Sequence, residues 1–237
     1  MRIPARIASI HQETPTVKSI TLDLDGRHLA FRAGQWVDLC VRIDGAEAVA
    51  GYSITSSPAD QGRIDLAVKL LGNNPVTHFL HNEVRVGDQV EVRLGGEFYY
   101  TAEMADSLVL IAGGIGLTPL ISMMRYVDEL ATDANAVLVY SAGTPSELLF
   151  KDQLDGMVSR NPWIRCVYTV TRPGTRPGHE PWDGPTGRID ARLLRRAAVD
   201  PAALHYVCGP PPMIRSMLNL LRSMNVPSSR IRYEQWW

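Results

Sequence analysis

A glycine-rich turn is the first part of this sequence whose residue types and spacing could do chemistry. It connects an apolar run to a helical segment and contains Gly113, Gly114 and Gly116, followed by Thr118. Glycines let a backbone approach a ligand closely, and the exposed amides at the start of a helix attract a pyrophosphate. Thr118 is expected to cap that helix. Because the spacing differs from the Gly-x-Gly-x-x-Gly fingerprint of dinucleotide sites, a tight turn that binds nothing is the alternative.

A second junction of the same kind lies near the carboxyl terminus. It contains Cys208, Gly209, Pro210 and Met213. Cys208 is expected at the carboxyl end of a strand, where it would face the same crevice as the first turn. The alternative is a buried cysteine that acts only as a small apolar side chain.

A third segment in the first half combines a tyrosine with several hydroxyl groups. Its members are Gly51, Tyr52, Ser53, Ile54, Thr55 and Ser56. Strand alternation puts Tyr52 and Ile54 on one face and the two hydroxyl residues between and after them on the other. A tyrosine beside hydroxyl groups could stack on a flat ring and hydrogen-bond to its heteroatoms. By pattern alone, an ordinary strand that ends in a Ser-Ser-Pro turn is favoured over that interpretation.

The composition indicates a globular protein without a metal site of its own. The 237 residues are 45% hydrophobic and carry a net charge of −1, with both signs interspersed, so neither nucleic acid nor an anionic membrane is indicated as a partner. Cys40, Cys166 and Cys208 lie far apart, which argues against a disulfide scaffold, a zinc site or an iron–sulfur cluster. No apolar run approaches the ~20 residues that span a bilayer, and no signal peptide is evident, so a cytoplasmic location is expected.

Short β-type runs separated by turns fill the first half of the chain. The predicted strands are Arg6–Ser9, Val17–Leu24, Trp36–Ile43, Ala50–Thr55, Ile64–Leu70 and Gln89–Leu94. With one short helix at Val76–Glu83, this pattern predicts a six-stranded antiparallel Greek-key barrel over residues 1–103.

Strands and helices alternate in the second half. The predicted strands are Ser107–Ala112, Ala136–Tyr140, Ile164–Val170, His205–Cys208 and Arg230–Glu234, and the predicted helices are Pro119–Leu130, Ser146–Met157, Ala191–Ala198 and Pro211–Met224. Thr171–Arg188, which is rich in Pro and Gly, is expected to form a long loop. The alternation predicts a Rossmann-like parallel α/β domain over residues 104–237, with ligands at the carboxyl ends of its strands.

Taken in order, these segments resemble the ferredoxin–NADP⁺ reductase-like flavoproteins. The shared segments are Ala33–Val37, Gly51–Pro58, Gly95–Phe98, Gly113–Pro119, Cys208–Met213 and Tyr233–Trp237. The Ala-Gly-aromatic-Ser-Ile-x-Ser-Ser-Pro run, the Gly-Gly-Glu-Phe run and the Glu-x-Trp-Trp ending are most similar to the branch of oxidoreductase NAD-binding domain-containing proteins.

The resemblance implies an oxidoreductase that takes hydride from NADH or NADPH and passes electrons to an acceptor. In that family the barrel binds FAD, or FMN in some branches. The resemblance implies that Tyr52 packs along the flavin, that Ser53 lies near flavin N5, and that Thr77 lies at the flavin phosphates.

The resemblance also assigns roles in the second half. Nucleotide-binding residues are implied at Gly113, Gly114, Gly116, Thr118, Gly209, Pro210 and Met213. Cys208 and Glu234 are implied to flank the nicotinamide and to act with Ser53 in catalysis. Either Trp236 or Trp237 is implied to cover the flavin ring.

Three departures from the family pattern concern the flavin site and the electron acceptor. Ala50 stands where the family has an arginine that binds flavin phosphate, and Asn73 and Asn74 replace a Gly-Gly pair before the phosphate-binding helix. A variant flavin site is therefore expected. No iron–sulfur domain is appended, so an iron–sulfur or haem acceptor would be a separate protein.

The choice between NADH and NADPH stays open. Thr171 and Arg172, with Arg176 in the following loop, could hold a 2′-phosphate, and Lys151 is a further candidate. An ordinary solvated loop explains the same residues. The acceptor is also open among a ferredoxin, a haem protein, a ferric chelate and a quinone. A regulatory module without turnover, or a subunit of a larger electron-transfer complex, is the alternative function.

Overall fold

The amino-terminal part of the chain forms a closed antiparallel sheet. A computed structural model describes residues 1–131, 133–174 and 181–235. The strands are β1 (Ile3–Thr14), β2 (Val17–Asp23), β3 (Trp36–Ile43), β4 (Ala46–Ser53), β5 (Arg63–Lys69) and β6 (Gln89–Gly95), in the order β4-β3-β6-β1-β2-β5. An antiparallel bridge between Ile54 and Leu66 joins the two outer strands, so the sheet closes into a barrel. Helix α1 (Pro75–Asn82) lies between β5 and β6.

The carboxyl-terminal part forms a parallel sheet with helices on both faces. In the described residues its strands are β7 (Ser107–Gly113), β8 (Asn135–Ala142), β9 (Ile164–Val170), β10 (Leu204–Cys208) and β11 (Ile231–Glu234), in the order β11-β10-β7-β8-β9. Its helices are α2 (Leu117–Glu129), α3 (Lys151–Arg160), α4 (Ala191–Arg196) and α5 (Pro211–Ser223). The predicted fold, an antiparallel barrel followed by a parallel α/β sheet, is confirmed.

Strand β7 explains why a continuous apolar run predicted this architecture. Leu108 and Leu110 are buried in the core that contains α2, whereas Val109 and Ile111 are buried in the core that contains α4 and α5. A strand covered on both faces needs apolar residues at every position. Alternation disappears from the sequence for that reason.

Several element boundaries differ from the prediction. The first strand, expected at Arg6–Ser9, extends over Ile3–Thr14. The helix expected at Ser146–Met157 begins only at Lys151, because Phe150 has the left-handed φ of 56°, which interrupts a right-handed helix. A short 3₁₀ turn at Pro145–Glu147 accounts for the early helical pattern. Strand β4 begins at Ala46 instead of Ala50, directly after the two-residue turn at 44–45.

The two sheets are joined by a continuous apolar core. Ala33 and Tyr100 of the amino-terminal part belong to the same buried cluster as Leu117 and Met123 of α2. Tyr206 on β10 donates its hydroxyl hydrogen to the carbonyl of Tyr99 at 2.6 Å. These contacts hold the barrel and the α/β sheet in one orientation. Among the described helices, none combines the length and apolar character needed to cross a membrane.

Candidate functional site

The two glycine-containing junctions pack directly against each other at the carboxyl ends of β7 and β10. A Cβ atom on Gly116 would lie 2.6 Å from the Gly209 amide nitrogen and 2.5 Å from the Cys208 carbonyl carbon. A Cβ atom on Gly209 would lie 3.2 Å from the Gly113 Cα. Met213 fills the remaining space, with its sulfur 3.0 Å from the same Gly209 position. Close packing between backbones therefore requires glycine at position 116, and it leaves little room for a side chain at position 209.

Gly114 differs from the glycines around it. It has a φ of +54°, and a Cβ atom built there would meet nothing within 4 Å. With Ile115 it lines a narrow cleft that also contains residues of the β1–β2 hairpin, Lys69 at the end of β5, and Glu147 of the α/β domain. The cleft therefore brings one lysine and one carboxylate near the turn. Cations and exposed amides are the groups that bind a pyrophosphate.

Thr118 does not cap helix α2, contrary to the expectation from its sequence position. The capping position is Gly116, and Thr118 lies in the first helical turn. Its hydroxyl donates to the Ile115 carbonyl at 2.9 Å and the residue is buried. Thr118 therefore fixes the shape of the turn, while Pro119 occupies the first turn as predicted.

Cys208 and Glu234 are brought together by strand register. They are directly paired at the carboxyl ends of the neighbouring parallel strands β10 and β11, and Cys208 pairs on its other side with Ala112 of β7. Cys208 is fully buried, and burial, together with the nearby Glu234 carboxylate, raises the pKa of the Cys208 thiol well above its usual range. The thiol is neutral at physiological pH and presents an apolar contact surface.

Tyr52 connects the barrel to the amino end of α1. Its hydroxyl oxygen lies 2.8 Å from Thr77 Oγ1, and burial raises the pKa of Tyr52 to about 12. Thr77 lies in the first turn of α1, and its amide donates to the Asn74 side-chain oxygen at 3.1 Å. Gly72, just before the helix, has a φ of +65° and open space beyond its Cα.

These groups fit an FAD phosphate and ring in part. The half-buried Tyr52 offers a flat apolar surface, and the amino end of an eight-residue helix offers positive potential. Ala50 offers no charge, and the Asn74 side chain already occupies the Thr77 amide. The family pattern has an arginine at position 50 and glycines at positions 73 and 74. Without them, this helix offers a phosphate fewer binding groups.

The segment that follows Tyr52 leads from the barrel interior to the α/β domain. Ser53 is 6% exposed at the end of β4, and Ile54 is fully buried in the barrel core. The Thr55 hydroxyl is buried and has no hydrogen-bond partner among the described residues. The Ser56 hydroxyl accepts the Asp65 amide at 3.1 Å. Gly51 lies on β4, in register with Asp38 of β3.

The residues that could distinguish NADH from NADPH lie beyond β8, on the side away from the glycine turn that follows β7. Thr171 and Arg172 follow β9, and an Arg172 guanidinium nitrogen lies 3.4 Å from a Glu147 carboxylate oxygen. Lys151 donates to Asp155 at 2.5 Å within α3. Arg176, Trp236 and Trp237 lie outside the described residues.

The sequence analysis did not predict two features of this site, the position of Lys69 beside the glycine turn and the capping of α1 by Asn74. Lys69 faces the glycine turn only because β5 ends beside it, a long-range relation that no local pattern reveals. Asn74 caps α1, and the Asn-Pro pair with Thr77 three residues later was an available signal. In the described ranges, no group of three or more His, Cys, Asp or Glu side chains is arranged to hold a metal ion.

Comparisons with known proteins match both halves of the chain. The oxidoreductase FAD-binding domain model matches residues 4–100, and the oxidoreductase NAD-binding domain model matches residues 110–218. The chain is 38% identical over 250 residues to oxidoreductase NAD-binding domain-containing protein 1 of Danio rerio, covering 98% of this chain and 91% of that protein.

Solved structures show the same fold at lower identity. The FAD/NAD-binding domain of a nitric oxide dioxygenase from Vibrio cholerae has a TM-score of 0.86 at 22% identity, covering 98% of each chain. A ferredoxin NADP⁺ reductase from Neisseria gonorrhoeae, solved with bound FAD and NADP, has a TM-score of 0.80 at 20% identity, also covering 98% of each chain.

Proposed function

The chain belongs to the ferredoxin reductase-like family of FAD- and NAD-binding oxidoreductases, and from that premise we propose that it takes hydride from NADH or NADPH onto bound FAD and passes the electrons to a separate acceptor. We further propose that residues 1–103 form the FAD-binding domain and residues 104–237 the nucleotide-binding domain. The spans of the two matching domain models support this division.

The packed junctions carry this proposal. Gly114 has open space where a side chain would be, and the Cys208–Glu234 pair lies at the neighbouring strand ends. Both observations support a pyrophosphate site and a nicotinamide site at one edge of the α/β sheet. Gly113, Gly116, Gly209, Pro210 and Met213 give this edge its shape. Lys69, from the barrel, offers the positive charge that the turn itself lacks.

FAD supplies the acceptor atom for the hydride, its ring nitrogen N5, and the protein supplies orientation. Tyr52 would pack along the flavin, Thr77 and the amino end of α1 would bind its phosphate, and Ser53 would hydrogen-bond near N5. Cys208, which is neutral, would pack against the nicotinamide, and Glu234 would support the proton network when the reduced flavin gives up its electrons.

Two groups of residues complete the assignment. The backbone of Gly51, Ile54, Thr55 and Ser56 borders the flavin, and Thr118 holds the shape of the nucleotide turn through its bond to Ile115. Thr171 and Arg172 border the far end of the nucleotide. NADH and NADPH are both candidate donors.

An anaerobic titration tests the proposal. Purified protein should be yellow, with a flavin spectrum, and NADH or NADPH added without oxygen should bleach it. The nucleotide that bleaches at the lower concentration is the preferred donor. Protein that stays colourless when offered FAD and FMN would contradict the proposal.

The acceptor is proposed to be a separate iron–sulfur or haem protein. The names of the structurally similar proteins, a ferredoxin reductase and a domain of a nitric oxide dioxygenase, support a protein redox centre. Reduction of a ferredoxin and of a haem protein by the NAD(P)H-reduced enzyme should be compared with reduction of a small dye. Equal rates with every acceptor would count against a dedicated protein partner.

A non-catalytic regulatory module remains the second candidate, and Asn74 is the observation that favours it. Its side chain occupies an amide that a flavin phosphate would use, and Ala50 removes a cation. Steady reduction of a dye by the isolated chain would exclude this module. Protein that binds FAD but is not reduced by either nucleotide would support it.

A further inference from the structure

Helix α2 connects the nucleotide turn (Gly113–Thr118) to the flavin segment of the barrel (Gly51–Ser56). It begins directly after Gly116, and two of its side chains bind backbone carbonyls on the other domain. The Ser122 hydroxyl donates to the Ser56 carbonyl at 2.7 Å, and Arg125 Nη1 donates to the Thr55 carbonyl at 2.7 Å. These carbonyls follow Ser53 by only a few residues.

Arg125 is held in a fixed position by several neighbours. Its side chain is 13% exposed, its second guanidinium nitrogen donates to Gln153 at 2.6 Å, and its guanidinium carbon lies 5.1 Å from the centre of the Phe150 ring. The Asp65 carboxylate lies 3.9 Å away and partly balances the charge. A planar guanidinium held at both nitrogens and stacked near a ring has little freedom to move.

The opposite side of the flavin segment is also held. The Thr55 amide donates to the Asp65 carbonyl at 2.8 Å, and the Ile54 amide donates to the Gln35 carbonyl at 2.9 Å. The barrel strands therefore fix the amides of this segment, whereas α2 fixes its carbonyls. Removal of the α2 donors would leave two carbonyls without these partners at a tightly packed interface.

We propose that Arg125 and Ser122 are positioning residues for hydride transfer, because they connect the flavin segment at Thr55 and Ser56 to the helix that begins at the nucleotide turn. This inference rests on the proposed function. From Leu117 to Arg125 the helix rises about 12 Å at 1.5 Å per residue, so a single rigid element sets the spacing between the two substrates. Hydride transfer is sensitive to such spacing, since a displacement of about 1 Å can cost about 100-fold in rate.

The test uses Arg125→Met, which keeps the apolar stem and removes the donors, with Arg125→Lys and Ser122→Ala as milder variants. In anaerobic single-turnover reduction at saturating nucleotide, we expect Arg125→Met to slow hydride transfer by about 10- to 100-fold. Arg125→Lys should recover part of the rate. The FAD content and the half-saturating nucleotide concentration should change by less than about threefold, because the proposal gives the arginine no contact with either ligand.

Hydrogen exchange provides a readout that does not depend on activity. Arg125→Met should accelerate exchange at the Ile54 and Thr55 amides, because the flavin segment loses its hydrogen bond from Arg125 of α2. Arg160→Met serves as the matched control, since Arg160 pairs with Asp128 inside the α/β domain and, among the described residues, forms no hydrogen bond or ion pair with the barrel. Leu221→Val, in the core behind β10, controls for a general loss of stability.

The outcomes separate the two proposals. A wild-type rate in Arg125→Met and Ser122→Ala, or an equal loss in Arg160→Met or Leu221→Val, overturns the positioning role. If wild-type protein is not reduced by either nucleotide, the proposed function fails, and the exchange experiment then decides whether Arg125 holds the segment. If Arg125→Met does not fold, Ser122→Ala and Arg125→Lys carry the same comparison.

Discussion

We propose that two junctions of the chain bind phosphate-bearing ligands: a nucleotide junction, where the β7–α2 turn meets the β10–α5 turn, and a flavin junction, formed by Tyr52 and the start of α1. The two junctions are built differently. At the nucleotide junction, backbone packs on backbone, and Gly116 has no room for a single extra carbon. At the flavin junction, the structure depends on side chains, because Asn74 caps α1 and Tyr52 forms a hydrogen bond with Thr77. A site made of packed glycines should fail abruptly when altered, whereas a site made of side chains should change by degrees.

Among the variants that test this comparison, Gly116→Ala is expected to have the largest effect on stability and on flavin reduction. The added carbon would lie 2.6 Å from the Gly209 amide nitrogen, so one of the two junctions must move. Overpacking of this kind costs about 1–3 kcal/mol of unfolding free energy, and the displaced turn should also lose nucleotide-dependent flavin reduction. Thermal denaturation and anaerobic reduction measure the two effects.

Gly114→Ala is the matched control, because open space surrounds that position and only its positive φ opposes a side chain. It should cost about 1–2 kcal/mol from backbone strain and leave the second junction in place. Because Gly114 is itself proposed to approach the pyrophosphate, the two variants are compared by stability. If Gly116→Ala lost no more unfolding free energy than Gly114→Ala, the packing argument would be wrong.

On the flavin side, Ser53→Ala should slow hydride transfer by about 100-fold, because the hydroxyl that would orient flavin N5 toward the incoming hydride is lost. Ser53 is buried and small, so its replacement should leave the fold intact. Single-turnover reduction measures the rate, and Ser57→Ala, at a similarly buried serine in the same segment, is the control. A rate within a few-fold of wild type would refute the role assigned to Ser53.

Sequence reasoning worked where a residue's structural reason is local. The continuous apolar run of β7 predicted a strand covered on both faces, and the glycines predicted junctions at strand ends. It failed at Phe150, whose left-handed backbone is imposed by tertiary packing and is rare for a bulky residue. It also missed Arg125 and Lys69, whose partners lie far away in sequence.

The glycines also had a second reason that the sequence could not reveal. A ligand that approaches the backbone and a neighbouring junction that packs against it both require glycine. Only the structure separates Gly114, which faces open space, from Gly116, which faces Cys208 and Gly209. The sequence pattern therefore includes two glycines with different roles, Gly114, which we propose approaches the ligand, and Gly116, which is needed for packing.

A graded response is expected when Asn74 is replaced by glycine. Asn74→Gly frees the Thr77 amide for a flavin phosphate, and glycine at this position costs only a few tenths of a kcal/mol of helix stability. We expect FAD to bind about fivefold more tightly, which corresponds to one hydrogen bond of about 1 kcal/mol. Fluorescence titration of the apoprotein measures it, with Asn73→Gly as the control at an exposed neighbour. Weaker FAD binding would show that the Asn74 side chain itself contacts the flavin.

The smallest effect concerns pH and again separates the two halves. His205 on β10 is fully buried, its Nε2 has no hydrogen-bond partner among the described residues, and burial lowers its pKa below the usual value. The folded state thus binds fewer protons there than the unfolded state, whose histidine pKa is about 6.5. The stability due to neutral His205 is complete above that pH and is lost as the pH falls below it.

Between pH 7 and pH 5 we therefore expect amide protection, corrected for the slower intrinsic exchange at lower pH, to decrease first in the α/β domain, around β10. The histidines of the barrel that the structure describes, His11, His28, His78 and His81, are exposed or half-buried. His205→Phe keeps a ring of similar volume and removes the titrating group. It should flatten the acid dependence of the melting temperature, with His28→Phe as the control. If acid loosened both halves equally in the wild type, buried His205 would not be the cause.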